Sequence, residues 1–244
     1  QAGTLGRSWQ SGAARLPSMA ALRELAESTG VLVTTVGPYA IYGEPLVAAC
    51  AAAGTNYADL TGEPEFVDKM WLKYDAIARQ SGARLVHCCG FDSIPYDVGA
   101  YFTVLQLPED QPVTIEGYVQ VGGGFSGGTY AWAITGFSRA RQTLSAGRER
   151  RKLEPRPAGR KIHGQNRPPR RAGEQGGWAV PMPTIDPFIV RRSAAVIDRY
   201  GPDFTYGHYL VTKQLKTLAS LGVKVPTAFL AAQRTSLAFS TYQS

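Results

Sequence analysis

The first hundred residues alternate between blocks with helical spacing of apolar side chains and short apolar runs. In the helical blocks apolar residues recur every three to four positions, which is the periodicity of an amphipathic helix. The short runs lack strong alternation, as is typical of strands in a parallel sheet that is covered on both faces. The helical blocks begin near Ser18, Leu46 and Pro64, and the strand-like runs span 31–36, 57–60 and 84–89. This order predicts βαβ units around a parallel sheet.

The pattern changes after Pro108. The segment 113–121 places Ile115, Val119 and Val121 on one face and polar side chains on the other, which is typical of a half-exposed strand in an antiparallel sheet. We therefore expect an α/β fold, with a partial parallel sheet over residues 1–108. An α+β domain with an antiparallel sheet is expected over residues 109–244.

The net charge of +7 is concentrated in one segment. Residues 139–171 contain 12 basic and two acidic residues, and the remainder contains 14 basic and 17 acidic ones. The segment is rich in proline and poor in large apolar side chains, so we expect a mobile surface loop over about 139–174. It is either a solvated insertion or a contact for an anionic membrane surface or another polyanion. Aromatic residues do not interleave with the charges, so nucleic-acid binding is not expected.

The cysteines and histidines give no sign of a disulfide framework or a metal site. The three cysteines have no suitable spacing for a framework, which favours a reducing compartment. The three histidines are scattered, so no metal site is expected. No run approaches the roughly 18 apolar residues of a membrane-spanning helix.

Each of the three strand-like runs is followed by a loop rich in glycine, proline and polar residues. The carboxyl ends of parallel strands meet at one edge of the sheet, where ligands bind in open α/β sheets. The first loop begins Val36-Gly37-Pro38-Tyr39. Gly37 permits close approach of a ligand, and Tyr39 either packs beside that ligand or is a buried part of a tight turn.

The second and third loops supply the polar candidates. Asp59 lies within a short apolar strand and needs a partner, whereas Glu63 either favours the N-terminus of the helix that follows it at Pro64 or lies beside the ligand. The third loop offers two carboxylates and a hydroxyl, which either assist proton transfer or cap the following helix. The candidates of the second loop are Asp59, Thr61, Gly62 and Glu63, and those of the third are Gly90, Phe91, Asp92, Ser93 and Asp97.

Three long motifs, in this order, carry a family resemblance: VGPYAIYGEPLVAAC, YADLTGEPEF and GFDSIPYDVG. With LGRS near the start, they resemble the saccharopine dehydrogenase-like oxidoreductases. The resemblance is to the branch of the trans-acting enoyl reductases and the saccharopine dehydrogenase-like protein. It is dense over 31–108 and thinner through GGFSGGTYAWAITGF and GWAVPMPTIDPFIVRR.

The resemblance implies a Rossmann-type domain that binds NADP or NAD and a second domain that builds the substrate cleft. Gly6, Arg7 and Ser8 match the family's motif after its second strand, and a cation with a hydroxyl there favours NADP. Arg7 is otherwise an exposed basic residue. The implied cofactor-binding residues are Gly6, Arg7, Ser8, Val36, Gly37, Pro38, Tyr39, Asp59, Gly62, Gly90 and Phe91, and the candidate catalytic residues are Asp92, Ser93 and Asp97.

The implied activity is hydride transfer to a hydrophobic or lipid-derived substrate. Two alternatives remain open: an inactive protein associated with lipid or membrane, and an enzyme of saccharopine-type amino acid metabolism. The resemblance also leads us to expect a homodimer and a location in the cytoplasm or at an intracellular membrane or lipid droplet.

The sequence departs from the family's pattern at both ends. The family opens with a strand and a Gly-x-Thr-Gly-Phe-x-Gly turn whose amides bind the pyrophosphate, and this turn is absent here. About ten residues separate Ser8 from Ser18, too few for the family's second helix and third strand. We therefore expect a chain that is incomplete at both termini.

Overall fold

A computed structural model describes residues 18–91, 93–120, 140–154, 158–182 and 184–213. The predictions made for Gly6, Arg7, Ser8 and Asp92 lie outside these residues. The helices are α1 (Met19–Glu27), α2 (Tyr39–Tyr42), α3 (Glu44–Ala53), α4 (Pro64–Ser81), α5 (Ile94–Leu105), α6 (Ala140–Leu153) and α7 (Asp186–Val196). The strands are β1 (Val31–Thr34), β2 (Asn56–Asp59), β3 (Leu85–Val86), β4 (Val113–Val119), β5 (Lys161–Gln165), β6 (Arg170–Arg171), β7 (Trp178–Pro181) and β8 (Asp203–Thr212).

The ends of the first helices follow from local chemistry. Ser18 caps α1 because its hydroxyl accepts the N–H of Ala21 at 3.2 Å. Gly54 and Gly82 end α3 and α4 in the left-handed conformation, which costs glycine little. Pro64 occupies the first turn of α4, where its missing N–H is not needed. These boundaries confirm the predicted helices.

The first sheet is parallel, with the order β1-β2-β3. Helices α1, α3 and α4 cover one face, and the shared core includes Val47, Tyr57 and Phe66. The parallel sheet is therefore confirmed. The prediction of cover on both faces is wrong for the described residues, because Val31 and Val33 on the other face are 58% and 65% exposed.

The second sheet is mixed, with β8 at its centre. β4 and β5 pair with β8 in parallel, whereas β7 pairs with β8, and β6 with β7, in antiparallel register. The predicted antiparallel pairing is therefore present in β6, β7 and β8. It is absent from β4, the strand on which the prediction rested, because alternation of apolar residues reports a half-covered face and not the direction of the neighbouring strand.

The basic segment is ordered where the structure describes it, so the predicted mobile loop is wrong for those residues. It contains α6, β5 and β6. Arg150 pairs with Asp68 and Glu154, and Arg160 donates to the main-chain oxygens of Ala194, Ile197 and Gly201. The prediction counted apolar burial alone, whereas hydrogen bonds from charged groups also hold a segment in place.

Two helices link the regions around the two sheets. α5 packs on a second hydrophobic core, which α7 and β8 share, and there Ala100 and Val104 join Val190 and Phe204. α6 packs along α4 through the Arg150 contacts. The division into domains near residue 108 remains a prediction. Among the described residues, no helix is both long and apolar enough to cross a membrane.

Candidate functional site

The loops after β1, β2 and β3 are joined by hydrogen bonds at the carboxyl edge of the first sheet. We call them loop 1 (35–38), loop 2 (60–63) and loop 3 (87–93). A carboxylate of loop 2 reaches the residues that follow loop 1, and the carboxylate at the end of β2 reaches loop 3. The structure therefore places the three predicted loops in one assembly.

Glu63 binds the start of α2. Its Oε1 accepts the N–H of Tyr39 and its Oε2 accepts the N–H of Ala40, both at 2.9 Å. These N–H groups have no partner within the helix, and a carboxylate there complements the positive end of the helix. The predicted contact of Glu63 with the N-terminus of α4 is wrong, because that terminus receives no side-chain hydrogen bond from Glu63. The carboxylate binds the start of α2 instead.

Tyr39 points into the protein. Its side chain is buried, its hydroxyl donates to the main-chain oxygen of Thr34 at 3.0 Å and it accepts the N–H of Leu60 at 3.3 Å. Burial raises the pKa of the Tyr39 hydroxyl. In this arrangement the phenol joins the end of β1 to loop 2, and packing of its ring beside a cofactor remains a prediction.

Asp59 is wholly buried, and its carboxylate has four hydrogen-bonding partners, two main-chain N–H groups and two side chains. Oδ1 accepts the N–H groups of Thr61 and Cys88 at 3.0 Å each. Oδ2 lies 3.0 Å from the Tyr57 hydroxyl and 2.6 Å from Nδ1 of His87. Burial favours the neutral acid, but the hydrogen bond and charge effect of His87, with the two N–H groups, hold the pKa of Asp59 below its usual value.

His87 is the residue of this site that sequence reasoning missed. Its side chain is 9% exposed and packs edge-on against Tyr57 and Phe66. A signal in the sequence could have found His87. The carboxylate of Asp59, in an apolar strand, needs a hydrogen-bonding partner, and His87 directly follows the neighbouring strand. The scatter of the three histidines argues against a metal site, but it does not test whether one of them binds a carboxylate.

Loop 3 presents one large side chain to solvent. Phe91 is 74% exposed, whereas Ser93 is buried. Ser93 stands at the N-cap position of α5 without a side-chain hydrogen bond to the helix, so the predicted capping by its hydroxyl is wrong. Its predicted catalytic role is untested.

Asp97 lies at the contact between α5 and α7. Its Oδ2 accepts the hydroxyl of Ser193 at 2.8 Å, and its Oδ1 is buried without a hydrogen-bond partner among the described residues. Burial raises the pKa of Asp97, and the Ser193 hydroxyl opposes this in part. Its carboxylate is thus held by Ser193 of α7. The catalytic role of Asp97 remains a prediction.

Gly37 and Gly90 are not required by the protein's own packing. A Cβ built on Gly37 would lie 3.6 Å from the Tyr39 ring, and one on Gly90 would lie 3.5 Å from Leu60, both ordinary contact distances. Neither glycine has a positive φ. Gly37 is exposed and Gly90 is half-buried, and the main chain of a residue without a Cβ permits close approach of a ligand. Gly62 lies half-buried in loop 2, and Val36 is exposed.

A separate surface cavity of about 320 Å³ lies beside α3 and α4 and includes Lys69 and Lys73 in its lining. Lys69 pairs with Glu65, and Lys73 pairs with Glu44. Both amines are thus neutralised within the protein, and none of the three loops contributes to the lining. We assign no site to this cavity.

Comparisons with known proteins identify curated relatives along most of the chain. A putative trans-acting enoyl reductase of Mycobacterium tuberculosis is 41% identical over 79% of this chain and 50% of its own length. A probable mitochondrial saccharopine dehydrogenase-like oxidoreductase of Arabidopsis thaliana is 35% identical over 72% of this chain and 40% of its own. A lipid droplet localized protein of Caenorhabditis elegans is 35% identical over 70% of this chain and 42% of its own.

The chain spans about half the length of the curated relatives that it matches. No family model and no solved structure matches it. The chain belongs to the saccharopine dehydrogenase-like family, which includes the trans-acting enoyl reductases.

Proposed function

We propose that the protein is an NAD(P)-dependent oxidoreductase that binds its nucleotide at the carboxyl edge of the first sheet. One observation carries the proposal: the buried side chains of Tyr39 and Asp59 hydrogen-bond the ends of the strands to the loops, while Phe91 beside them is exposed. Ligands of open α/β sheets bind at this edge. The names of the relatives, an enoyl reductase and a saccharopine dehydrogenase-like oxidoreductase, support the same class of reaction.

The residues present fit a dinucleotide in two respects. Gly37 and Gly90 have no Cβ, so a ligand can approach their main chain closely, and Phe91 offers an exposed aromatic ring for stacking. The bound nicotinamide would supply the hydride, which is chemistry that no side chain provides. The protein's part is orientation, and Tyr39, Asp59 and Glu63 perform it by holding the loops.

We further propose a hydrophobic, lipid-derived substrate and NADP in preference to NAD. The substrate class is supported by the names of the relatives, since an enoyl group is part of an acyl chain and one relative is localized to lipid droplets. The preference for NADP rests on the Gly6-Arg7-Ser8 motif. Contact with an anionic membrane surface is a separate proposal, supported by the exposed Arg148 and Lys152 on α6.

The nucleotide proposal is tested by titrating the purified protein with NADPH and NADH while following nucleotide fluorescence. We expect saturable binding of both, with a lower Kd for NADPH. If neither NADPH nor NADH binds saturably, the proposal is contradicted. The membrane contact is tested by flotation with liposomes that contain or lack anionic lipid. If recovery of the protein with the liposomes is independent of lipid charge and salt, the proposal of an electrostatic membrane contact is contradicted.

A further inference from the structure

Asp59 is the point at which loops 2 and 3 are joined. One oxygen, Oδ1, accepts the N–H of Thr61 in loop 2 and the N–H of Cys88 in loop 3. The main-chain oxygen of Asp59 accepts a further N–H from loop 3, that of Cys89, at 2.7 Å. The side chain has no exposed surface, so it acts on any ligand only through these loops.

Cys88 has a conformation that depends on such support. Its φ is 63°, in the left-handed region that residues other than glycine rarely adopt. The two hydrogen bonds to Asp59 hold the peptide groups on both sides of this residue. The chain turns at Cys88 and continues directly to Gly90 and Phe91. The Asp59 contacts therefore set the direction in which loop 3 leaves the sheet.

We infer that Asp59 is a positioning residue for nucleotide binding, which holds Gly90 and Phe91 in place through loop 3. This inference rests on the proposed function. A loop that opens competes with binding, because the apparent affinity falls with the fraction of molecules in the closed state. Loss of the Asp59 contacts should thus weaken nucleotide binding without removing any group that touches the nucleotide.

The variant Asp59→Asn tests this with almost no change of shape. Its amide oxygen replaces Oδ1, but the bonds to Thr61 and Cys88 become neutral and weaker than those to a carboxylate. Its NH₂ group faces Tyr57 and His87, where the carboxylate accepted. Loop 3 should open more often, and Cys88, which is 2% exposed, becomes reactive when it does.

The measurement combines site-resolved alkylation by N-ethylmaleimide with NADPH titration. We expect the opening constant of loop 3 to rise about tenfold in Asp59→Asn, which corresponds to about 1.4 kcal/mol of opening free energy. The open fraction, and with it the alkylation rate of Cys88, should then rise about threefold. We expect the Kd for NADPH to rise about threefold, which corresponds to a closed fraction that falls from about 0.8 to about 0.26 as the opening constant rises tenfold. Cys50, buried in α3, reports opening of the sheet as a whole and should keep its rate.

Asp68→Asn is the matched control. Asp68 is a partly buried carboxylate on α4 that pairs with Arg150 at 2.9 Å, so its replacement also lowers stability. It should leave both the Cys88 rate and the Kd unchanged.

Three results would overturn the inference. Unchanged Cys88 reactivity in Asp59→Asn would show that the loop does not depend on the carboxylate. Equal acceleration of Cys50 and Cys88 would show general destabilisation. Faster alkylation of Cys88 with an unchanged Kd would separate the loop from binding and leave the proposed function intact. If the unsubstituted protein binds no NADPH, the proposed function itself fails, and the inference falls with it.

Discussion

Glu63 receives the main-chain N–H of Tyr39 at 2.9 Å across 24 residues of sequence, and this bond fixes the start of α2. The second oxygen of the same carboxylate binds Ala40. Loop 2 thus holds loop 1 through a charge-assisted cap. The predicted site is a set of mutually supported loops, and this arrangement leads to the following predictions.

Replacing Glu63 by Ala should destabilise the protein by about 2 kcal/mol, because two half-buried N–H groups lose a charged acceptor. Urea denaturation measures the change. Glu24→Ala is the control, since Glu24 is exposed on α1 and has no side-chain hydrogen bond among the described residues. Equal stability of the two variants would contradict the capping role.

Asp59 should contribute to acid sensitivity. Its pKa is lower in the folded protein than its usual value, so the unfolded chain binds the proton more tightly. The stabilisation is complete above the unfolded pKa of about 3.9 and is lost as the pH falls through the folded value. Unfolding free energies of the unsubstituted protein and Asp59→Asn should therefore differ at neutral pH and converge as the pH falls below the folded pKa of Asp59. A difference that stays constant with pH would refute this.

Arg150 should anchor the basic segment. It is buried, pairs with Asp68 and Glu154, and lies over the Trp71 ring. Arg150→Met leaves two carboxylates without this partner and should cost about 3 kcal/mol. It should also expose α6 to trypsin, which limited proteolysis would detect. Arg148→Met, an exposed change on the same helix, should leave both properties unchanged, and similar behaviour of the two variants would contradict the anchoring role.

Gly90→Ala should weaken nucleotide binding without loss of stability. The added methyl group meets Leu60 at an ordinary distance, and alanine reduces the freedom of the unfolded chain. We expect unchanged or slightly higher stability and a Kd for NADPH raised about tenfold, about 1.4 kcal/mol, by a clash with the ligand. Gly30→Ala, at the other end of β1 and in open space, should alter neither. If Gly90→Ala binds NADPH normally, the nucleotide does not approach this loop closely.

Local signals in the sequence were sufficient for the helices, the parallel strands and the positions of the three loops. Ser18, Pro64 and Gly82 act within one turn of the helix that they begin or end, so their effects are readable from neighbouring residues. The need of Asp59 for a partner could also be predicted, because an apolar strand cannot hold an unpaired carboxylate.

Partners that are distant in sequence could not be predicted. His87 lies 28 residues after Asp59, and Asp68 lies 82 residues before Arg150. Whether a polar side chain faces solvent or a distant partner depends on the packing of whole elements, which the local pattern does not encode. The same limit explains why the composition of the basic segment predicts a loop, and why the alternation in β4 does not predict the direction of its neighbouring strand.

The central claim, nucleotide binding at the carboxyl edge of the first sheet, is tested most directly by two-dimensional amide NMR spectra recorded with and without NADPH. We predict that the amides of Gly37, Gly62, Gly90 and Phe91 shift, and that those of Gly30 at the opposite edge do not. Shifts confined to the second sheet, or no shifts at saturating NADPH, would contradict the account.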